Sequence, residues 1–263
     1  MTESFYAGIK LNQRLRSFIF LFIFFLSVLA FGQPVSTQKK VTEYSQSWFS
    51  FNSTVRFTDR WGMVGDFHHR RDDFMADPYF YFLRAGAMFW IAGKYPVIAG
   101  VAHLWSAPPD GNITWSNENR IYQQWSARQK QGIVAILNRI RFEQRWRDVI
   151  INDQVSGDKA FSLRLRYLAS FECRPFNNQK IPALVVSDEA CVQFGESIVY
   201  NTFDQNRFFL GLKQSLSEKL SFDVGYMNIW QQNSSGNQYT ASHVFRLFFY
   251  YNADLRKNVP DPA

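Results

Sequence analysis

The stretch Ile136-Leu137-Asn138-Arg139-Ile140-Arg141-Phe142-Glu143-Gln144-Arg145-Trp146-Arg147 decides how this chain folds. Arg139, Arg141, Glu143, Arg145 and Arg147 occupy one parity, while Ile140, Phe142 and Trp146 occupy the other. A helix would mix the two sets within a turn. Only the two-residue period of a strand keeps them on opposite faces. A soluble sandwich buries its apolar face against a second sheet. A single closed sheet instead turns the apolar face outward to hydrocarbon and gathers the charges inside.

The same period continues in both directions. In residues 49–57, Phe49, Phe51, Val55 and Phe57 alternate with Ser50, Asn52, Thr54 and Arg56. Met63, Gly65 and Phe67 alternate with Asp66, His68 and Arg70 within 61–71. In 79–91, Tyr79, Tyr81, Leu83 and Ala85 stand opposite Arg84. Further strands are predicted at 97–105, 118–129, 133–147, 161–171, 183–195, 205–216, 220–232 and 240–252, eleven in all. Bacterial single-chain barrels have even numbers of strands, so ten or twelve are expected, with twelve preferred. Links at 59–60, 93–96, 130–132 and 217–219 are short. Those at 72–78, 106–117, 148–160, 196–204 and 233–239 are longer, and 172–182 is a long link on the short side. Trp61, Trp90, Trp105, Trp146 and Trp230 lie near predicted strand ends, where aromatic rings meet lipid headgroups.

Composition agrees with this reading. The chain has 263 residues, 18% of them aromatic, with 27 Phe. Mean hydropathy is only −0.25, which excludes a helical membrane protein. At the N-terminus, Lys10, Arg14 and Arg16 precede the apolar run Phe18–Phe31. Ala30 and Gly32 then offer small residues before Gln33. This is the pattern of a secretory signal peptide over 1–32. The apolar run is shorter than the ~20 residues of a spanning helix, which disfavours the rival reading of a retained anchor. The expected organisation is a signal peptide (1–32), a mature N-terminal segment (33–43), an antiparallel transmembrane β-barrel (44–252) and a flexible tail (253–263). The expected location is a bacterial outer membrane, with its lipids as partners.

Formal charge is +7, from 29 Lys+Arg against 22 Asp+Glu, and no block of like charges occurs. Nucleic acid is therefore not an expected partner. Cys173 and Cys191 could pair in an oxidising compartment. A hairpin centred near Asn177 would set Cys191 opposite position 163, about ten residues or ~33 Å along the strand from Cys173. A disulfide needs Cα atoms within about 7 Å, so no bridge is expected.

Arg or Lys facing lipid at the midplane costs about 2–4 kcal/mol, so charged columns are expected to face inward. The candidate lumen-lining residues are Arg139, Arg141, Glu143, Arg145, Arg164, Arg166, Glu189 and Arg207. Glu118, Arg120, Arg128, Lys213, Asp223 and Arg246 share their setting. Two readings stay open. Interleaved carboxylates could plug the lumen as salt bridges, or surplus arginine could draw small anions through a narrow channel. An alternative is a lipid or peptide hydrolase using His68 and Asp66 at the rim, with Asp72 and Asp73 nearby. No Gly-x-Ser-x-Gly, His-Glu-x-x-His or Cys-x-x-Cys motif supports it, and no catalytic residue, metal or cofactor is assigned.

Several segments taken in order resemble a known family. They are Arg60-Trp61, Arg139–Trp146, Leu163-Arg164-Leu165-Arg166-Tyr167, Ser187-Asp188-Glu189 and Phe203-Asp204-Gln205-Asn206-Arg207. Together they resemble the bacterial outer-membrane family DUF2490, over roughly Tyr44 to Asn252. The resemblance implies an outer-membrane barrel inserted by the barrel-assembly machinery, and it carries no catalytic set. Phe249, Tyr250 and Tyr251 are not terminal, a departure from the aromatic end that usually cues such assembly.

Overall fold

A computed structural model describes residues 39–176, 178 and 181–256. The expected signal peptide, residues 33–38 of the segment after it, Asn177 and positions 257–263 of the expected tail lie outside the described residues. The described chain is all strand and connection: β1 (Lys40–Arg56), β2 (Trp61–Asp72), β3 (Asp77–Ile91), β4 (Tyr95–Ser106), β5 (Ser116–Gln131), β6 (Val134–Ile151), β7 (Gln154–Cys173), β8 (Ala183–Phe194), β9 (Phe203–Ser215), β10 (Leu220–Gln232) and β11 (Gln238–Asp254). Each strand pairs with its sequence neighbours, and β1 pairs with β11 to close a barrel.

The described residues form eleven strands, inside the expected range of ten to twelve, but the count is odd where an even one was expected. An odd count makes the closing pair parallel, and Lys40 stands opposite Gln238 and Arg56 opposite Asp254. β1 therefore begins at one end of the barrel and β11 finishes at the other. One end carries Arg60 and the turn before β2; the other carries Thr114 and the link before β5. Connection lengths also segregate less than expected. Residues 148–160 are not a loop. β6 and β7 continue through them to a two-residue turn, Asn152-Asp153, past a bulge at Asp148/Ile150. Ala253 and Asp254 close β11 rather than opening a tail.

Two cross-strand glycine pairs, Gly86 with Gly100 and Gly211 with Gly225, face the interior. A Cβ at Gly100 would collide with the Ala85 carbonyl and lie 2.6 Å from the Gly86 Cα. One at Gly225 would strike the Leu210 carbonyl, 2.5 Å from the Gly211 Cα. The strands bend sharply and approach closely at these corners, where only glycine fits. Tyr122 and Phe209, both buried, lay their rings over the gaps.

The interior is unevenly furnished. Trp48, Val185, Phe209, Met227, Ile229 and Val244 form one apolar cluster, and Val64, Met88, Ile98 and Tyr122 form another. Phe82, Ala102 and Leu104 form a third. β5 to β9 supply most of the charge. Outward positions carry Phe51, Phe67, Leu83, Val101, Ile121, Ile140, Leu184, Leu210 and Phe245, all exposed. Trp61 and Trp105 are exposed on the outside, and Trp146 and Trp230 share that face. Trp90 does not. It has the inward parity of Arg84, packs against the Val64 cluster and carries the Arg56 guanidinium 4.5 Å from its ring centroid. Cys191 pairs with Arg166 and Cys173 with Leu184, so the β7–β8 register is three residues from the sequence expectation, and both thiols are free.

Candidate functional site

Alternation on β5–β9 brings Glu118, Arg120, Arg139, Arg141, Glu143, Arg145, Arg164, Arg166, Glu189 and Arg207 into the interior, where all but Arg145 and Arg164 join one chain of ion pairs. Glu118 bridges Arg147 (3.1 Å) and Arg120 (2.5 Å). Arg120 reaches Glu143 at 3.4 Å, and Glu143 accepts from Arg166 at 2.9 Å with Arg141 at 3.7 Å. The other arm of Arg166 meets Glu189 at 2.6 Å. Glu189 also holds Arg139 (2.6 Å) and Arg207 (3.4 Å). Arg141 donates twice to the amide oxygen of Gln124, at 2.9 and 2.6 Å. Each carboxylate serves two or three guanidiniums, as buried charges require partners to offset desolvation.

Arg164 is paired by a device invisible to alternation. Asp204 sits at a register shift between β8 and β9, where Cys191 pairs with Gln205 and Val192 with Phe203. The extra residue turns Asp204 inward, 2.9 Å from Arg164. Re-aiming one side chain is a common consequence of a bulge.

Arg145 differs from its neighbours. It is 1% exposed, and its Nη2 donates to Ser162 Oγ (2.9 Å) and Gln193 Oε1 (2.7 Å). No carboxylate lies within ion-pair distance, and its Nε and Nη1 have no hydrogen-bond partner among the described residues.

Two cavities flank this network. One, of about 350 Å³, lies toward the Arg60 end among Arg128, Glu172, Lys213, Asp223 and Tyr250. The other, of about 450 Å³, lies toward the Thr114 end among Gln46, Ser106, Ser116, Arg145, Ile150 and Gln231. Trp48, Arg70, Phe82 and Arg207 border both, so they lie where the two cavities meet. The Arg70 guanidinium carbon lies 3.2 Å from the Trp48 ring centroid and 4.0 Å from that of Phe80. Arg207 lies 5.3 Å from the Trp48 ring. Such cation–π stacking holds a charge in place without a carboxylate. Glu143, 2% exposed, lines neither cavity and sits within the packed divide.

The His68–Asp66 arrangement proposed for the rim is not present. Both side chains face the interior, where Asp66 is ion-paired to Arg84. His68 stands edge-on to Phe82 (5.3 Å) and Phe248 (5.5 Å), and its Nδ1 has no hydrogen-bond partner among the described residues. Asp72 ends β2, and Asp73 starts the link after it. Sequence reasoning overlooked Trp48 and Arg70 as a pair. Their parities matched those of Ser50 and Asp66, which was the available signal.

These features define a closed, mostly antiparallel barrel with an ion-paired, arginine-rich interior. The chain belongs to the family described as Protein of unknown function (DUF2490), whose profile matches residues 45–240. No curated protein matches the sequence.

Proposed function

We propose that this chain is a non-catalytic outer-membrane barrel, exported by its leader, with a structural and ligand-binding role and a septum that stops free diffusion. What supports the reading is the crowding where the two chambers meet: the Trp48–Arg70 stack borders both, and the buried Glu143 network packs beside them. Membrane residence is supported by the outward face, where large apolar side chains recur on strand after strand. A water-facing sheet so clad would aggregate, whereas hydrocarbon requires it. Polar groups on that face satisfy one another: Asn206 donates to Asp188 at 2.8 Å, and Tyr226 Oη lies 2.7 Å from His243 Nδ1. Strands of 12 to 20 residues exceed the ~9–11 needed to cross a bilayer at a tilt.

The test is planar-bilayer recording of the purified barrel, after heat-modifiable gel mobility has established that it is folded in detergent. The wild-type protein is expected to be silent. The double variant Trp48→Ala with Arg70→Ala is expected to give discrete, anion-preferring steps. Steady conductance from the wild type would refute the closed septum, and a mature chain that stays monomeric without detergent would refute membrane residence.

A further inference from the structure

We propose that the 450 Å³ chamber at the Thr114 end is a binding site for a small organic oxyanion, a carboxylate or phosphate ester carried on a flat apolar body. This deepens the ligand-binding role proposed above and rests on it. The argument begins with charge. Among the cations lining the chamber, Arg120 and Arg147 share Glu118, Arg164 has Asp204, and Arg207 has Glu189. Asp148, the other carboxylate on the wall, is taken by Lys159 and Asn117. Arg70 and Arg145 remain, and neither has a carboxylate within 4 Å among the described residues. Two guanidiniums without counter-charge thus border one cavity.

Their donors are unused as well. Arg145 keeps Nε and Nη1 without a partner, and Arg70 keeps Nε. In a guanidinium, Nε and the terminal nitrogen on its N–H side, Nη2, form the edge that meets an oxyanion through two parallel bonds. In Arg145, Nη2 is taken by Ser162 and Gln193, which fixes the plane and leaves Nε and Nη1, on different sides of the group, each to donate singly to an oxyanion. Leaving buried donors unmet is costly in any fold, so their persistence points to an occupant that meets them.

The rest of the wall selects the body of the ligand. Trp48, Tyr79, Phe80 and Phe82 give aromatic surface, and Leu104 and Ile229 extend it. The volume falls within the ~300–1,000 Å³ usual for small-molecule sites, which also combine apolar lining with a few directed polar groups.

Isothermal titration of the detergent-solubilised barrel with phenyl phosphate, inorganic phosphate and benzyl alcohol tests the proposal. Phenyl phosphate is expected to bind at least tenfold more tightly than inorganic phosphate, and benzyl alcohol not at all. Arg145→Gln and Arg70→Gln should each weaken phenyl phosphate at least tenfold, while Arg128→Gln in the other chamber should not. Arg145→Gln should also raise the unfolding midpoint of the ligand-free barrel, since it removes an uncompensated charge. A purely structural arginine would lower it. Should Arg145→Gln not fold, Arg70→Gln carries the test alone. Absence of heat with phenyl phosphate, equal affinity for inorganic phosphate, or unchanged binding by both variants would overturn the inference. If the barrel is nevertheless silent in bilayers, only this site is lost; wild-type conductance would instead count against the closed barrel.

Discussion

Glu143→Gln should be among the most destabilising single-atom-scale changes available to this protein. Glu143 is 2% exposed and has three guanidiniums within 4 Å: Arg166 at 2.9 Å, Arg120 at 3.4 Å and Arg141 at 3.7 Å. Glutamine keeps the shape and one acceptor oxygen. It removes the negative charge and turns an NH₂ group toward a cation, leaving the positive cluster uncompensated. Breaking a buried pair from one side costs about 3–5 kcal/mol. With a urea m-value of about 2 kcal/mol/M, that is a midpoint lower by roughly 1.5–2.5 M. Glu172→Gln is the internal control. Glu172 also holds three cations, Arg128 at 2.8 Å, Lys213 at 3.1 Å and Arg174 at 3.7 Å, but Arg128 is 55% exposed and solvent screens the group. Its loss should cost about 1 kcal/mol or less. The assay is reversible urea unfolding of the folded barrel in detergent, followed by tryptophan fluorescence. Equal midpoints for the two variants, within about 0.5 M, would refute the idea that burial sets the value of these ion pairs.

Three further outcomes follow from local geometry. Gly100→Ala should lower stability by at least about 1–3 kcal/mol, read by the same unfolding, because the obstructing atoms are the backbone of Ala85 and Gly86. Asp153 accepts from the amides of Ile113 (3.0 Å) and Thr114 (2.9 Å), and these bonds hold its carboxyl below the usual aspartate range. The clasp is therefore complete at neutral pH and is lost as pH falls through that lowered value. Asp153→Ala should speed proteinase K cleavage within 107–115 at neutral pH, and acid pepsin should cut wild type and variant alike. Cys191, 0% exposed, should resist maleimide until the barrel is unfolded.

The strands were legible because a period of two persists wherever one face meets apolar surroundings and the other does not. Eleven alternating runs were visible, and eleven strands are present among the described residues. Parity assigns a face but not a neighbour. It could not say that Arg166 would bridge Glu143 and Glu189, or that Arg145 would stand apart from every carboxylate. Where register slips, parity itself fails. Asp204 adjoins inward-facing Gln205 yet also points inward, because a bulge supplies the extra residue. The hairpin through Asn152 and Asp153 was hidden for a related reason: its polar residues resemble those of a loop. Trp90 shows that a tryptophan near a strand end belongs to whichever face its parity dictates, and Arg84 on the same strand already marked that face as interior.

The parallel β1–β11 seam also has a kinetic meaning. Every other pair joins sequence neighbours across a link of at most nine residues, whereas Asn52 donates to the Phe249 carbonyl across 197 positions. Closing a loop of that length costs roughly 4–5 kcal/mol of chain entropy, far more than a hairpin. The seam is therefore the last contact to form, and until it does the nascent sheet carries two bare edges able to recruit other strands. Those edges run in the same direction. A helper that guides closure must present one chain edge to another in parallel, unlike a helper that extends hairpins.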